Sequence, residues 1–119
     1  MVGSDGIVIG AKEKCHPRGW GTSVRAICYF CKETGVLSLE DVVYKMTGFP
    51  AERYSLKGKG KILEGFDADL VLFDYDNLKD NATYDNPCAL AEGIEMVFVN
   101  GKLAYKDGVL TEERAGKIL

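Results

Sequence analysis

No apolar run in this sequence approaches the roughly 18 consecutive residues that a membrane-spanning helix requires. The N-terminus also lacks the charged start and long apolar stretch of a signal peptide. No membrane partner is implied and a cytoplasmic location is expected. Cys15, Cys28, Cys31 and Cys88 are then expected as reduced thiols rather than a disulfide framework. There is no excess of positive charge. Fifteen lysines and arginines stand against 18 aspartates and glutamates, a formal net charge of −3. That balance excludes a basic footprint for nucleic acid. Lys57, Lys59 and Lys61 alternate with Gly58 and Gly60, but no aromatic is interleaved with them. A solvated loop is favoured there over a phosphate contact. There is no Walker loop, no dinucleotide fingerprint and no G-x-S-x-G elbow. Internal repeats and low-complexity segments are absent as well.

What is present reads as globular. Hydrophobic residues make up 46% and charged residues 28% of the 119, too apolar a balance for wholesale disorder. The length suits one ordinary domain or two small pieces of a larger one. The pattern divides near residue 57, with helices before it and strands after. Val2 to Asp5 reads as the end of a strand, with a second apolar stretch, Ile7-Val8-Ile9-Gly10, behind it. Cys15 to Gly21 is a loop of turn formers. Thr22 is the expected N-cap of a helix to about Thr34, with Val24, Ile27, Cys28 and Cys31 on its apolar face and Gly35 ending it. Ser38 to Asp41 has the form of a capping box with Asp in the last place. It opens a helix with Val42, Val43 and Met46 on the buried side. Gly48-Phe49-Pro50 is expected to break that helix, and a short helix starts at Pro50.

In the second half, Gly60 to Ile62 reads as extended and Glu64-Gly65 as a turn. The continuous apolar centre of Asp69 to Asp74 predicts a strand buried on both faces. Asn77 to Pro87 is a polar loop, and Glu95 to Val99 is a strand. Asn100-Gly101 predicts a type I′ turn, since both central positions of that turn need positive φ. Lys102 to Tyr105 returns as a strand, Lys106 to Gly108 turns again, and Gly116 to Leu119 is a candidate last strand.

Four groups can carry chemistry. Asp5, at a strand tip, suits metal binding or proton transfer, or it simply caps a turn beside Gly6. His16, the only histidine, and Arg18 lie in one glycine-flanked loop, where Arg18 can fork onto a carboxylate; an idle surface histidine is the bland alternative. Cys28 and Cys31 form a C-x-x-C pair that, with Cys15 and His16, has the makings of a zinc site. Both also stand where a helix needs small apolar residues, and free cysteine behaves as one. Trp20, Tyr29 and Phe30 are candidate pocket aromatics or core and interface residues.

A series of segments appears in a telling order. It runs Gly3-Ser4-Asp5-Gly6, then His16-Pro17-Arg18-Gly19-Trp20-Gly21-Thr22, then Leu37 to Asp41 with Lys45-Met46-Thr47. Pro50 to Arg53, Gly60-Lys61-Ile62 and Gly65-Phe66-Asp67-Ala68-Asp69-Leu70-Val71 follow. The series closes with Ala82-Thr83-Tyr84-Asp85-Asn86-Pro87, Gly93-Ile94-Glu95 and Val99-Asn100-Gly101. Across essentially its whole length the chain resembles the C-terminal part of N-acyl-D-amino-acid deacylases, the D-aminoacylase branch of the metal-dependent amidohydrolase superfamily. The glycine-to-valine segment at 65–71 and the Val-Asn-Gly turn are common across that superfamily. The loops at 16–22 and 82–87 point to the branch. Trp20 agrees with the aromatic usual at its place, whereas Cys15 and Cys88 depart from the usual choices.

The resemblance implies a mixed α and β fold in two parts. Residues 1–57 would be the remnant of a TIM-like barrel, its eighth strand and the helices behind it. Residues 58–119 would be the C-terminal share of a small β-sandwich. A TIM barrel needs roughly 250 residues, so the rest of the barrel and its zinc ligands would lie outside this chain. Asp5 is implied as the catalytic proton carrier, taking a proton from a zinc-bound water and delivering it to the departing amine, and as the one residue here admitted as a further metal ligand. Ser4, His16 and Arg18 are the candidates for binding the N-acyl amino acid. Zinc is implied for the parent enzyme and none for this chain alone, which is expected to be inactive. Its implied partner is the missing N-terminal barrel portion, or a second copy in a dimer or higher oligomer. The alternative is a non-catalytic binding or oligomerisation module that keeps the scaffold.

Overall fold

Pro17 sets the start of the first helix. Its φ of −54° is already helical, and its missing N–H is one that a helix start leaves unpaired anyway. The chain, described by a computed structural model over residues 1–7 and 15–118, enters α1 (Arg18–Ile27) directly behind it. Thr22 is therefore not the cap. It lies inside α1, where its hydroxyl donates to the Arg18 carbonyl at 2.7 Å, the bond a threonine makes one turn back. The helix runs on into a π-helical turn, Cys28–Glu33, and stops at Thr34 as its spacing predicts.

Residues 1–7 form no strand, contrary to the expectation for Val2–Asp5. The Val2 N–H donates to the Lys45 carbonyl at 3.0 Å, and the Gly6 N–H donates to the Ser4 hydroxyl at 3.2 Å. This backbone bonds to a helix and to itself because no described strand lies beside it. Of the apolar stretch at 7–10, only Ile7 is among the described residues, and it is exposed.

The Ser38 hydroxyl accepts the Asp41 N–H at 3.1 Å and opens α2 (Leu39–Met46), as its capping pattern predicts. Val42 on its inner side is 1% exposed. The break after α2 falls at Thr47 (φ −127°, ψ −82°), and α3 (Gly48–Arg53) already contains Gly48 and Phe49. Pro50 is thus the third residue of α3, still within the first turn, where its missing N–H disturbs no helical bond.

Gly60 and Lys61 form a bend rather than an extended segment. Gly60 (φ 78°) sits so close to α2 and α3 that a Cβ there would come within 2.7 Å of the Thr47 carbonyl oxygen and of Ala51. Among the described residues the chain then builds one antiparallel sheet, ordered β1 (Leu70–Phe73), β2 (Ile94–Val99), β3 (Lys102–Lys106), β4 (Val109–Leu110). Asn100 (φ 49°) and Gly101 (φ 76°) make the primed turn between β2 and β3. Residues 116–118 pair with no strand, and Leu119 lies outside the described residues.

The turn is stitched to the segment before β1. Asp69 Oδ1 accepts the Asn100 N–H at 2.7 Å, and the Ala68 carbonyl accepts the Gly101 N–H at 2.9 Å. The 65–71 segment and the Val-Asn-Gly turn therefore meet, and their residue types serve that joint. β1 itself departs from expectation. Leu70, Val71 and Leu72 are 37%, 55% and 50% exposed. β1 pairs with β2 alone, and no described element lies along its other edge.

The core gathers around Leu78, which follows β1 and is 2% exposed among Ala26, Ile27, Cys28 and Val42. Lys32 holds this strap in place. Its ammonium donates to the carbonyls of Tyr75 (2.9 Å), Asp76 (3.0 Å) and Leu78 (3.0 Å). Among the described residues no helix is long and apolar enough to cross a membrane.

Leu78→Ala should therefore lower the unfolding free energy by about 3 kcal/mol. Val71→Ala, at an exposed position, should change it by less than about 1 kcal/mol. Urea unfolding midpoints of the two variants measure the contrast, and equal losses would contradict this assignment of the core.

Candidate functional site

Asp5 and Arg18 meet at the entrance to α1. Asp5 adopts φ 48°, the left-handed region, and Arg18 is the first residue of α1 behind Pro17. Arg18 Nη2 lies 3.1 Å from Asp5 Oδ2, and the Asp5 side chain is 87% exposed. The carboxylate is open to solvent, and among the described residues Arg18 is the cation beside it.

His16 joins this cluster from the other side. Its Nδ1 accepts the Arg18 backbone N–H at 3.1 Å, so Nδ1 carries no hydrogen. In the neutral ring Nε2 then carries it, and Nε2 lies 3.0 Å from the Tyr84 hydroxyl oxygen. The two rings meet edge to face at 5.0 Å. Tyr84 is presented by a turn in which the Asn86 N–H donates to the Thr83 hydroxyl at 3.0 Å. The start of the same segment packs on α1. A Cβ at Gly21 would come within 2.5 Å of Asp80 Oδ1 and 3.0 Å of Ala82. The loops at 16–22 and 82–87 are thus neighbours in space.

Of the four residues singled out from sequence, Asp5, His16 and Arg18 come together, linked in a chain of contacts that ends at Tyr84. The Ser4 hydroxyl instead accepts its own loop's Gly6 N–H. Tyr84 is the residue that sequence reasoning passed over. Its signal was membership of the 82–87 segment, with no spacing to mark it as His16's partner.

The other candidates separate. The Cys28 thiol donates to the Leu78 carbonyl and the Cys31 thiol to the Ser38 carbonyl, each at 3.5 Å. Burial, then the Glu40 and Asp41 carboxylates and Cys28, push the Cys31 thiol up, which disfavours the thiolate that a metal or a redox partner needs. Among the described residues, no three His, Cys, Asp or Glu side chains group so as to hold a metal ion. These residues do not fit a zinc centre by themselves. Trp20, Tyr29 and Phe30 are partly exposed, and none of them lines the cavity beside β1.

That cavity, of about 470 Å³, lies between the helices and β1, with Ile27, Met46, Val71 and Phe73 in its wall. It contains none of Asp5, His16 and Arg18. Its polar edge is Lys59, which pairs with Asp67 at 3.0 Å and with Asp69. Hydrogen bonds from Lys59 and then from the Asn100 N–H hold the Asp69 carboxyl below its ordinary value. Asp69 and then Asp67 raise the Lys59 ammonium. Lys61 pairs with Glu52 at 3.0 Å. Two of the three clustered lysines are thus committed within the chain, which counts against a phosphate site.

The model of the amidohydrolase family matches residues 3–105. The chain belongs to the amidohydrolase family. Over all 119 residues it is 40% identical to a D-aminoacylase of Alcaligenes xylosoxydans xylosoxydans, covering 24% of that protein. A crystal structure of a D-aminoacylase described as defining a novel subset of amidohydrolases superposes with a TM-score of 0.88 at 39% identity, over 95% of this chain and 23% of that one. The N-acyl-D-glutamate deacylase of Bordetella bronchiseptica, solved with zinc and a phosphonate mimic of the tetrahedral intermediate, gives 0.84 at 37% identity, over 92% and 23%. The chain spans about a quarter of the length of the curated relatives it matches.

Two outcomes follow from this geometry. Asp5→Asn should leave stability unchanged within about 0.5 kcal/mol, because the Asp5–Arg18 pair is exposed; a larger loss in urea unfolding would make Asp5 a structural residue. Asp69 should behave oppositely. Its folded pKa is lowered, so its contribution is full above the unfolded value of about 4 and is lost as pH falls through the folded value. Asp69→Asn should flatten that part of the acid limb of stability against pH, and an unaltered limb would contradict the pairing.

Proposed function

We propose that this chain is the C-terminal part of a zinc-dependent enzyme that hydrolyses the amide bond of N-acyl-D-amino acids. On this reading residues 1–57 are a remnant of a TIM-like barrel, in which Val2–Asp5, not a strand in this chain alone, pairs as the last strand only beside the barrel portion outside it. Residues 58–119 are the C-terminal share of a β-sandwich. The observation that carries it is full-length similarity, at 40% identity, to a D-aminoacylase of which the chain covers 24%. The neighbouring loops at 16–22 and 82–87, gathered beside Asp5, support it.

The chemistry assigned to these residues is local. Amide hydrolysis needs a base that accepts a proton from the attacking water and returns it to the departing amine. Asp5 has the solvent exposure that such a shuttle requires. Arg18 suits the substrate carboxylate, which its guanidinium can grip with two parallel hydrogen bonds. A substrate that draws Arg18 away from Asp5 leaves that carboxylate free to work. His16, oriented by Tyr84, fixes the first turn of α1 and so the origin of Arg18. Zinc and its ligands are assigned to the part of the enzyme outside this chain, and the isolated chain is inactive.

The exposed edge of β1 favours a second reading, a non-catalytic module that binds a partner strand or a second copy. Hydrolysis of an N-acetyl-D-amino acid by the 119-residue chain and by the longest polypeptide its gene encodes decides between them. The chain alone should release no amino acid. The longer polypeptide should hydrolyse the D-isomer, and Asp5→Asn within it should lower kcat about 10²–10⁴-fold. Turnover by the short chain, or full activity in the Asp5→Asn enzyme, would overturn the assignment. A gene that encodes no longer polypeptide would leave the module.

A further inference from the structure

Two cysteines that stand 73 residues apart in sequence face each other across the junction beside His16. The sulfurs of Cys15 and Cys88 are 3.5 Å apart, and both residues are half-buried. A disulfide bond is about 2 Å long, so closure asks for about 1.5 Å of movement. Cys15 is at the loop end next to His16. Cys88 sits in the turn that follows Tyr84, where the Ala89 N–H donates to the Asn86 carbonyl at 3.4 Å. The His16–Tyr84 hydrogen bond crosses the same junction. The other two cysteines are turned to separate carbonyls, those of Leu78 and Ser38, so the C-x-x-C spacing does not mark the reactive pair.

We propose that Cys15 and Cys88 are a modification site, a reversible intramolecular disulfide that fastens the His16 loop to the Tyr84 turn. The co-reactant is a low-molecular-weight disulfide such as oxidised glutathione. One protein thiol loses its proton and attacks that disulfide. A mixed disulfide forms and one glutathione leaves as its thiolate. The second protein thiol loses its proton, attacks the protein sulfur of the mixed disulfide and expels the second glutathione. Two cysteine thiols are oxidised to one S–S bond, the oxidant is reduced to two thiols, and the two protons pass to the two glutathione thiolates. Small oxidants reach half-buried sulfurs, whereas Cys28 is buried. The hydrogen bond to Cys15, and then burial, push the Cys88 thiol up, which disfavours its thiolate and slows the exchange without preventing it.

The bond would hold the His16–Tyr84 contact closed and limit how far Arg18 can swing. That consequence rests on the deacylase reading; formation of the disulfide does not. The test is a glutathione redox titration of the 119-residue chain, quenched in acid, alkylated and mapped by mass spectrometry. The expected product is a monomer two hydrogens lighter, with two of its four thiols lost and the Cys15 and Cys88 peptides linked, reversed by dithiothreitol. Cys15→Ser and Cys88→Ser should each abolish it, and Cys31→Ser should not. Four persistent thiols, stable glutathione adducts on Cys15 or Cys88, a link to Cys28 or Cys31, or disulfide-bonded dimers would each overturn the proposal. None of these results bears on hydrolysis by the longer polypeptide, so the two readings fail separately.

Discussion

One ammonium group ties the helices of this chain to its sheet. Lys32, in the π-helical turn after α1, directs its three N–H bonds at three carbonyls of the strap that leaves β1. The strap is irregular, so those carbonyls have no ladder to join, and a charged donor satisfies them better than a neutral one. With its backbone secured, the strap can press Leu78 into the space between α1 and α2. The Asp74 carboxylate braces the same turn by accepting the Asp76 and Asn77 N–H groups and the Asn77 amide. The Asn77 bonds, side chain first and then backbone, hold that carboxyl below its ordinary value. The clamp thus fixes the strap that carries Leu78 from β1 into the core.

The clamp organises a small core and leaves much apolar surface uncovered. Ile62, Leu63, Val71, Leu72, Val109 and Leu110 are all at least half exposed. Scattered exposed side chains need no explanation, but adjacent ones along an unpaired strand do. Val71, Leu72, Val109 and Leu110 lie on the sheet and Ile62 and Leu63 in the segment before it, whereas the Asp5–Arg18 pair lies beside the start of α1. On the proposed function the two regions have different duties. The sheet meets the rest of the enzyme, and the Asp5 corner contributes side chains to a centre completed elsewhere.

Local chemistry was legible in the sequence; distant pairing was not. Asn100-Gly101 announced its turn because few other dipeptides accept positive φ twice. Ser38 announced α2 because a hydroxyl three residues before an amide caps it. The helix start was misread at Thr22 because a cap-type residue and a proline competed, and the proline came first. β1 was misread as buried because an apolar run does not say which neighbours belong to the chain. Lys32 and Tyr84 carried no local signal at all. Their partners lie more than 40 residues away, Leu78 for Lys32 and His16 for Tyr84, and only the fold brings them together. The family resemblance marked the segment around Tyr84 but not the bond it makes.

The central claim is that this chain supplies a carboxylate and a scaffold to a metal centre that it does not itself contain. The most direct test is the zinc content of the purified chain after equilibration with excess zinc and removal of the unbound ion. The account predicts no stoichiometric zinc. One tightly held zinc per chain, lost on Cys28→Ser, would contradict it and return the cysteines and His16 to the role of ligands.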